Sequence, residues 1–232
     1  MDTQITNEAD AKRWLTDCLG VSRETMNRLE ACAAFVDAQA QHQNLVSAST
    51  LPHIWQRHIV DSAQLLRFAT PLADELWIDL GSGAGFPGLV IAMLAPCKMV
   101  LVESRGLRIT YLEKAIDLLE LGHRVSVAGM PLDRMEAENA HYISARAFAP
   151  LPRLLEGAAR FSTEKTRWLL PKGRNARAEL ESIDPAWHGV FHVEHSITDP
   201  DASILVGTGR PSYPRTKHMQ PAKTARRHRN PS

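Results

Sequence analysis

The sequence predicts an α/β protein in which a mainly parallel sheet follows an N-terminal helical cap. From residue 76 onward, short runs rich in Val, Ile and Leu alternate with segments of helical periodicity, which is typical of βαβ units. The preceding part shows helical spacing alone. With 232 residues, 44% of them hydrophobic, the chain can bury a core of this kind. We expect a helical cap over 1–70, an α/β domain over 71–206 and a tail over 207–232.

Two helices are predicted within residues 8–42, and Gly20 separates them. A third amphipathic segment runs from Leu51 to Phe68. It carries His58 and Asp61, three residues apart. Such a pair on a helix is more often a surface hydrogen bond or salt pair than a metal site, and we predict no bound metal.

The strands are predicted from β-rich runs that end at glycine, proline or charged residues. Helices are expected between them, for example over 107–121 and 151–161. The last two strands are expected to pair as a hairpin at one edge of the sheet. In chain order the predicted strands are Leu76–Leu80, Met99–Val102, Val125–Val127, Tyr142–Ser144, Arg167–Leu170, Val190–Ile197 and Ser203–Val206.

A glycine-rich turn is predicted between the first strand and the next helix, in the sequence DLGSGAGFPG that begins at Asp79. Glycines remove Cβ atoms where the chain turns sharply or a ligand approaches the backbone. The spacing of Gly83, Gly85 and Gly88 matches the dinucleotide fingerprint, and Glu103 lies at a suitable distance to hold a ribose. A nicotinamide cofactor is therefore one candidate. No Gly-Lys-Ser/Thr follows, which excludes a P-loop.

The charge of Asp79 favours a different ligand. A carboxylate two residues before Gly81 would repel a pyrophosphate but would suit a cation. S-adenosylmethionine carries a sulfonium and an ammonium group and no phosphate. The turn therefore favours S-adenosylmethionine over NAD as the cofactor.

Further site residues are predicted where the other strands end, because ligands of open α/β sheets bind outside the carboxyl ends of the strands. Glu103 and Ser104 follow the second strand, and Glu103 is placed either to bind the ribose hydroxyls or to cap the next helix. Arg146 and Lys172 bring positive charge to the same rim. They are candidates for contact with nucleic-acid phosphate or for balancing nearby carboxylates.

Composition limits the remaining possibilities. The N-terminus lacks the basic and apolar regions of a signal peptide and the apolar runs are short, so we predict a cytosolic protein without a membrane span. The three cysteines lack metal-ligand spacing, which favours reduced thiols. Residues 207–232 hold seven Lys or Arg and no acidic residue, leaving 20 basic against 26 acidic residues elsewhere. This tail could bind a polyanion or simply be solvated.

Several motifs together resemble the bacterial glucose-inhibited division protein B family. The resemblance covers about residues 30–206, and the Gly-Phe-Pro-Gly extension and the Arg-Ala-Phe block make it more specific than a general methyltransferase motif. The matching residues are Asn44-Leu45, His58-x-x-Asp61-Ser62, the run from Asp79 to Gly88, Glu103-Ser104, Arg146-Ala147-Phe148 and Lys172-Gly173.

The resemblance implies an S-adenosylmethionine-dependent, Rossmann-like methyltransferase fold with a seven-stranded sheet whose last strand is antiparallel. It implies methylation of N7 of a guanine in 16S ribosomal RNA, which in the family is guanine 527 of the decoding-region loop. After strand three the family usually has a small residue followed by Glu, whereas this chain has Pro131-Leu132, so backbone groups or Asp133 take that place. By position, the resemblance places Gly81 and Phe86 along the cofactor and Arg146 near it. The full set of predicted cofactor-binding residues is Asp79, Gly81, Gly83, Gly85, Phe86, Glu103, Ser104, Pro131, Leu132 and Arg146.

The mechanism follows from the nucleophile. Guanine N7 has a lone pair and no proton, so direct in-line attack on the methyl group needs no general base, and positioning supplies most of the catalysis. Arg146 and then Lys172 are the candidates for positioning. The expected partner is 16S rRNA or a small-subunit ribosomal particle bound by a monomer, with the target base unpaired or flipped. An NAD-dependent oxidoreductase and a non-catalytic RNA-binding module are the alternatives.

Overall fold

The computed structural model describes residues 4–188 and 190–210 and contains a seven-stranded sheet. The strand order is β3-β2-β1-β4-β5-β7-β6. Within the described residues the strands are β1 (Leu76–Leu80), β2 (Lys98–Val102), β3 (Val125–Ala128), β4 (Tyr142–Ala145), β5 (Arg167–Lys172), β6 (Phe191–His195) and β7 (Ser203–Thr208).

The pairing directions confirm the predicted fold class. Strands β1 to β5 are all parallel, and β7 is antiparallel to both β5 and β6. The edge hairpin of β6 and β7 is therefore present as predicted. The tail was expected to begin at residue 207, but Gly207 and Thr208 pair with Trp168 and Arg167 in the sheet. Residues 211–232, which hold six of the seven basic residues predicted for the tail, lie outside the described residues.

Helices cover both faces of the sheet, which explains why strands such as β1 are buried along their whole length. The first five helices pack on one face and the last three on the other, and each side has its own apolar core. Their bounds are α1 (Glu8–Asp17), α2 (Arg23–Ala40), α3 (Asp61–Ala63), α4 (Gly88–Leu94), α5 (Gly106–Leu118), α6 (Leu151–Ala158), α7 (Ala176–Glu181) and α8 (Pro185–His188).

The N-terminal helices share a core with the sheet. Leu15 of α1 and Leu29 of α2 are fully buried in the same cluster as Trp77 of β1 and Leu89 of α4. Apolar contacts with one face of the sheet thus hold the helical region, over residues 5–69, against the α/β region.

The segment predicted as one amphipathic helix from Leu51 to Phe68 is helical but irregular. A 3₁₀ turn (Leu51–His53) leads into π-helical turns (Trp55–Val60), then α3, then a second 3₁₀ turn (Gln64–Arg67). The hydroxyl of Ser62 donates to the carbonyl oxygen of His58 at 2.6 Å, which competes with regular main-chain pairing. The carboxylate of Glu8 accepts from the backbone N–H groups of residues 55 and 56 and so fixes the start of the π-helical turns. The irregular backbone brings His58 and Asp61 toward the end of β4.

No helix in the described ranges has the length and apolar character needed to cross a membrane. Among the same residues no group of three or more His, Cys, Asp or Glu side chains is placed to hold a metal ion.

Candidate functional site

Two neighbouring clefts open at the carboxyl ends of the parallel strands. The first has a volume of about 430 Å³ and the second about 960 Å³. Both are lined by Leu45 and by the three residues Arg146, Ala147 and Phe148 that follow β4. This position is the one expected for ligands of an open α/β sheet.

The first cleft is formed largely by the glycine turn after β1. Gly81, Gly83 and Gly85 have φ values of +66°, +55° and +86°, a conformation that side chains disfavour. A Cβ on Gly85 would lie 2.3 Å from Cδ1 of Leu89, so the turn can pack on α4 only without a side chain there. The predicted strand, glycine turn and helix are confirmed.

Eight of the ten residues predicted to bind the cofactor line the first cleft. They come from the turn after β1 and from the segments that follow β2, β3 and β4, which meet at one edge of the sheet. These residues are Gly81, Gly83, Phe86, Glu103, Ser104, Pro131, Leu132 and Arg146.

Asp79 and Gly85, which were also predicted to contact the cofactor, do not line the cleft. The carboxylate of Asp79 is fully buried, where it accepts from the hydroxyl of Ser144 at 2.7 Å and from the backbone N–H of Gly88 at 3.3 Å. Burial raises its pKa, although these hydrogen bonds and Arg146 act in the opposite direction. Asp79 therefore joins β1 to β4 and to the start of α4, and its carboxylate does not stand at the mouth of the cleft, where it was expected.

Glu103 supplies the carboxylate that lines the first cleft. Its Oε2 accepts from the backbone N–H of Gly83 at 3.2 Å, while Oε1 accepts from the N–H groups of Ser104 and Arg105 at 2.8 and 3.0 Å. These N–H groups precede the first residue of α5, which has no side-chain cap, so Glu103 orders the segment before the helix and does not cap the helix as predicted. Because the N–H of Gly83 already faces a carboxylate, the turn offers poor binding for a pyrophosphate.

Arg108 was not predicted as a site residue, although it lies in the first turn of α5 soon after Glu103. Its guanidinium lines the first cleft, donates to the carbonyl oxygen of Asn44 at 3.0 Å and lies 3.9 Å from Oε2 of Glu103. A Cβ on Gly83 would lie 3.1 Å from its Nη1. Arg108 thus connects the N-terminal helical region to the glycine turn.

The segment after β3 contributes Met130, Pro131 and Leu132 to the first cleft. Asp133, which was considered as a replacement for the family's Glu, does not line it. The carbonyl oxygen of Leu132 accepts a short hydrogen bond from Arg160 on the far side of the chain segment. The side of the cleft at this segment is therefore formed by apolar groups and backbone.

Arg146 stands between the two clefts and is held by four neighbours, the first being the carbonyl oxygen of Arg57, to which its Nη1 donates at 3.3 Å. Its Nη1 lies 3.4 Å from Oδ2 of Asp61, its Nη2 donates to Nδ1 of His58 at 3.0 Å, and its guanidinium lies 5.3 Å from the ring centroid of Phe86. The ring of His58 stacks on Phe86 at 5.1 Å. His58 and Asp61, which the sequence analysis treated as a surface pair, thus position the central arginine.

The protonation state of His58 follows from this contact. Burial, together with the positive charges of Arg146 and Arg57, lowers the pKa of His58 to about 3. A neutral imidazole that accepts at Nδ1 carries its hydrogen on Nε2, where it can donate to Oγ1 of Thr50 at 2.9 Å. His58 therefore acts as a neutral acceptor for Arg146.

Phe148 forms part of the boundary between the clefts. Ala147 before it has a φ of +53°, which costs a residue with a side chain about 1–2 kcal/mol. The Phe148 ring packs on the turn, because a Cβ on Gly81 would lie 2.5 Å from its Cδ2. With 38% of its surface exposed, Phe148 is a large aromatic side chain accessible at the site.

The second cleft is lined by three cation–carboxylate pairs, two of which join distant parts of the chain. Arg57 contacts Asp199 at 2.6 Å, Arg146 contacts Asp61, and Lys172 contacts Glu179 at 2.7 Å. Lys172, predicted to position the substrate, is thus placed in the second cleft and paired with a carboxylate.

The protein family described as rRNA small subunit methyltransferase G matches this chain over residues 25–199. A curated protein from Sphingopyxis alaskensis named Ribosomal RNA small subunit methyltransferase G is 52% identical over 206 residues, which cover 89% of this chain and 88% of that protein.

Solved structures resemble the fold at low sequence identity. The match with cofactor-bound Rv0187 from MTB covers 90% of this chain and 100% of the Rv0187 chain, with a TM-score of 0.59 and 14% sequence identity. The match with an RNA methyltransferase from Salinibacter ruber, in complex with S-adenosyl-L-homocysteine, covers 66% of this chain and 93% of the Salinibacter chain. Its TM-score is 0.52 and the sequence identity is 12%. At such identities the likeness concerns the fold.

Proposed function

The chain belongs to the rRNA small subunit methyltransferase G family, and on that premise we propose that it transfers a methyl group from S-adenosylmethionine to N7 of a guanine in 16S ribosomal RNA. The observation that carries the proposal is the junction of the two clefts at Arg146 and Phe148. A donor in one cleft and an acceptor base in the other would meet there.

The first cleft fits S-adenosylmethionine by its chemistry and size. Its volume of about 430 Å³ is within the usual range for small-molecule sites. The carboxylate of Glu103 is 6% exposed and faces the glycine turn, where it suits ribose hydroxyls and a cationic ligand but not a pyrophosphate. When bound, S-adenosylmethionine supplies an electrophilic methyl group on its sulfonium.

Each predicted contact residue has a role in this proposal. Glu103 and Ser104 hold the ribose side, and the backbone of Gly81 and Gly83 allows close approach. The other cleft residues that would contact the cofactor are Phe86, Pro131, Leu132 and Arg146. Asp79 and Gly85 act indirectly, since they fix the shape of the turn from outside the cleft.

The second cleft holds the target base, with Arg146 and Lys172 as positioning residues. Guanine N7 carries a lone pair and no proton, so none of the side chains at the junction has to accept a proton. His58 is neutral, and its Nδ1 already accepts from Arg146. Orientation of the base relative to the first cleft is therefore the main catalytic contribution of the chain.

The substrate in this proposal is 16S rRNA or a small-subunit particle in the cytoplasm. Because the base has to reach the bottom of a cleft, it is an unpaired or flipped nucleotide.

The test combines cofactor binding with analysis of the RNA. Isothermal titration calorimetry with the purified full chain measures S-adenosylmethionine binding. Mass spectrometry of 16S rRNA then compares cells lacking the gene with cells complemented by it. We expect a 7-methylguanine that is present only with the gene.

Gly83→Asp serves as the matched inactive variant. Its side chain would be placed on a residue with positive φ, beside Arg108 and next to the Glu103 carboxylate. We expect it to lose cofactor binding and to leave the rRNA unmodified. Absence of cofactor binding by the unmutated chain, or an rRNA whose 7-methylguanine is independent of the gene, contradicts the proposal.

A further inference from the structure

We infer that Lys172 and Glu179 together read the Watson–Crick edge of the target guanine in the second cleft, an inference that rests on the proposed function. Lys172 ends β5 and Glu179 lies in α7, and both side chains line the second cleft. The Lys172 side chain is 9% exposed and the Glu179 side chain 31% exposed. The pair is thus partly buried but accessible from the cleft.

The geometry of the pair is fixed from two sides. Oε2 of Glu179 accepts from Nζ of Lys172 at 2.7 Å and from the backbone N–H of Leu151, at the start of α6, at 3.2 Å. Within the described part of the chain, Oε1 of Glu179 receives no hydrogen bond. The pair therefore presents a donor, Nζ of Lys172, beside an available acceptor, Oε1 of Glu179.

This order of groups complements guanine. The Watson–Crick edge of guanine carries an acceptor at O6 followed by donors at N1 and at the exocyclic N2. Lys172 has three N–H donors, so it can donate to O6 and keep its contact with Glu179. Oε1 of Glu179, which has two lone pairs, then accepts from both N1–H and N2–H₂. Adenine presents a donor at N6 and an acceptor at N1, the reverse of what this pair requires.

The other carboxylates that line the second cleft are less suited to this role. Asp61 is fully engaged, because Oδ1 accepts from Gln64 and Thr198 while Oδ2 contacts Arg146. Asp199 accepts from Asp201 at Oδ1 and from Arg57 at Oδ2. Glu179 is the carboxylate in this cleft that keeps an oxygen available, as far as the described residues extend.

The cleft also offers apolar groups for the faces of the base. Phe148 lines both clefts and is partly exposed, and Pro150 and Pro171 line the second cleft near the Lys172–Glu179 pair. Flipped bases are commonly held by stacking on such groups while their edges are hydrogen-bonded. An edge held by Lys172 and Glu179 leaves N7, on the opposite side of the purine ring system from N2, free to point toward the first cleft.

A carboxylate has a further advantage over a neutral acceptor at this position. Methylation at N7 forms a bond from the N7 lone pair to the methyl carbon while the carbon–sulfur bond breaks, so the positive charge passes from sulfur to the purine. N1–H and N2–H₂ become stronger donors as this charge develops. Glu179 would thus bind the transition state more tightly than the ground state, which raises kcat as well as affinity.

The experiment uses inosine, which lacks the 2-amino group of guanine and is otherwise the same on this edge. Small-subunit particles are assembled with 16S rRNA that carries guanine or inosine at the target position. Methyl transfer by the full chain is measured as kcat/KM on each. We expect guanine to be preferred about tenfold or more by the unmutated chain, because inosine leaves one lone pair of Glu179 Oε1 without its hydrogen bond.

Glu179→Gln is the informative variant. A Gln whose oxygen keeps the contacts with Lys172 and Leu151 would place its NH₂ where Oε1 was, so that donors face the N1–H and N2–H₂ donors of guanine. We expect the guanine-to-inosine ratio to fall to about one, and kcat on guanine to fall more than KM rises. Calorimetry with S-adenosylmethionine serves as the check on folding, since we expect Kd to stay within about threefold of the unmutated value. Glu181→Gln, on an exposed residue of the same helix, is the matched control and should keep the preference.

The outcomes separate this inference from the proposed function. A chain that methylates guanine but shows no preference over inosine, or a Glu179→Gln variant that keeps the preference, overturns the role of the pair alone. A chain that binds S-adenosylmethionine and methylates neither RNA overturns the proposed function and this inference with it.

Discussion

The two clefts that meet at Arg146 are built in different ways. The first is formed mainly by backbone, with three glycines in a left-handed conformation and a carboxylate that accepts from main-chain N–H groups. The second is formed by side-chain ion pairs, such as Arg57 with Asp199, which are 142 positions apart in the chain. A turn made of backbone can be recognised from a short contiguous run of residues, whereas an ion pair between distant positions cannot be recognised from the sequence.

The largest effect is expected in the turn of the first cleft, from Gly85→Ala. Both the positive φ of Gly85 and the overlap of a Cβ with Leu89 oppose the substitution. The free energy of unfolding should fall by about 2–5 kcal/mol in urea titrations. Gly106→Ala is the control, because its Cβ meets open space and its effect should stay within about 0.5 kcal/mol. Equal effects at the two glycines would show that the turn is not constrained in this way.

A smaller effect is expected from His58 at the junction, and it depends on pH. The folded-state pKa of His58 is lowered to about 3, below the value of the unfolded chain, so its contribution to stability is present above about pH 6.5 and is lost as pH falls. Between pH 7 and 4, the free energy of unfolding of the unmutated chain should fall by about 3 kcal/mol relative to that of His58→Gln.

The variant His58→Gln is chosen because an amide can still accept from Arg146 and donate to Thr50. The measurement is urea unfolding of both chains at several pH values. Effects of other titrating groups are shared by the two chains and cancel in the difference. A difference that is constant with pH would mean that His58 is not held neutral at the junction.

The charge of the first cleft is tested by Glu103→Gln. We expect the Kd for S-adenosylmethionine in calorimetry to rise about 10–100-fold, because hydrogen bonds to a charged acceptor become hydrogen bonds to a neutral one. Glu113→Gln, an exposed residue of α5, should leave Kd unchanged. An unchanged Kd for Glu103→Gln would show that the negative charge of Glu103 does not contribute to cofactor binding.

The smallest effect is expected beside the second cleft, from Arg174→Gln. Arg174 pairs with Asp201 at 3.2 Å, but the two side chains are 78% and 67% exposed. Solvent-exposed pairs of this kind contribute little, and the free energy of unfolding should change by less than about 0.5 kcal/mol. A large loss of unfolding free energy would mean that exposed ion pairs stabilise the region of the second cleft as much as buried pairs do.

Much of the fold was predictable because its elements depend on local pattern. The strand Leu76–Leu80 was predicted with the bounds that the structure has, and the edge hairpin was predicted from the two β-rich runs after residue 190. The segment from 51 to 68 was harder, since its π-helical turns are set by Glu8 from another helix and by Ser62.

The site was predicted unevenly for the same reason. The glycine turn, Glu103 and Arg146 line the first cleft as expected from their places at strand ends. Asp79 was assigned to the mouth of the cleft, but its carboxylate is buried because Ser144 of the neighbouring strand donates to it. The sequence does not distinguish a carboxylate that faces a ligand from one that joins two strands, because both kinds occur near the end of a strand.

The sequence by itself determined the order of strands and helices along the chain, the glycine turn and the family, because each of these depends on motifs of neighbouring residues. Only the tertiary structure decided which charges face each other, that His58 and Asp61 hold Arg146, and that Lys172 pairs with Glu179. Hydrogen bonds and ion pairs act over a few ångströms in space and are independent of separation along the chain. Their partners are therefore known only once the sheet has brought the strand ends together.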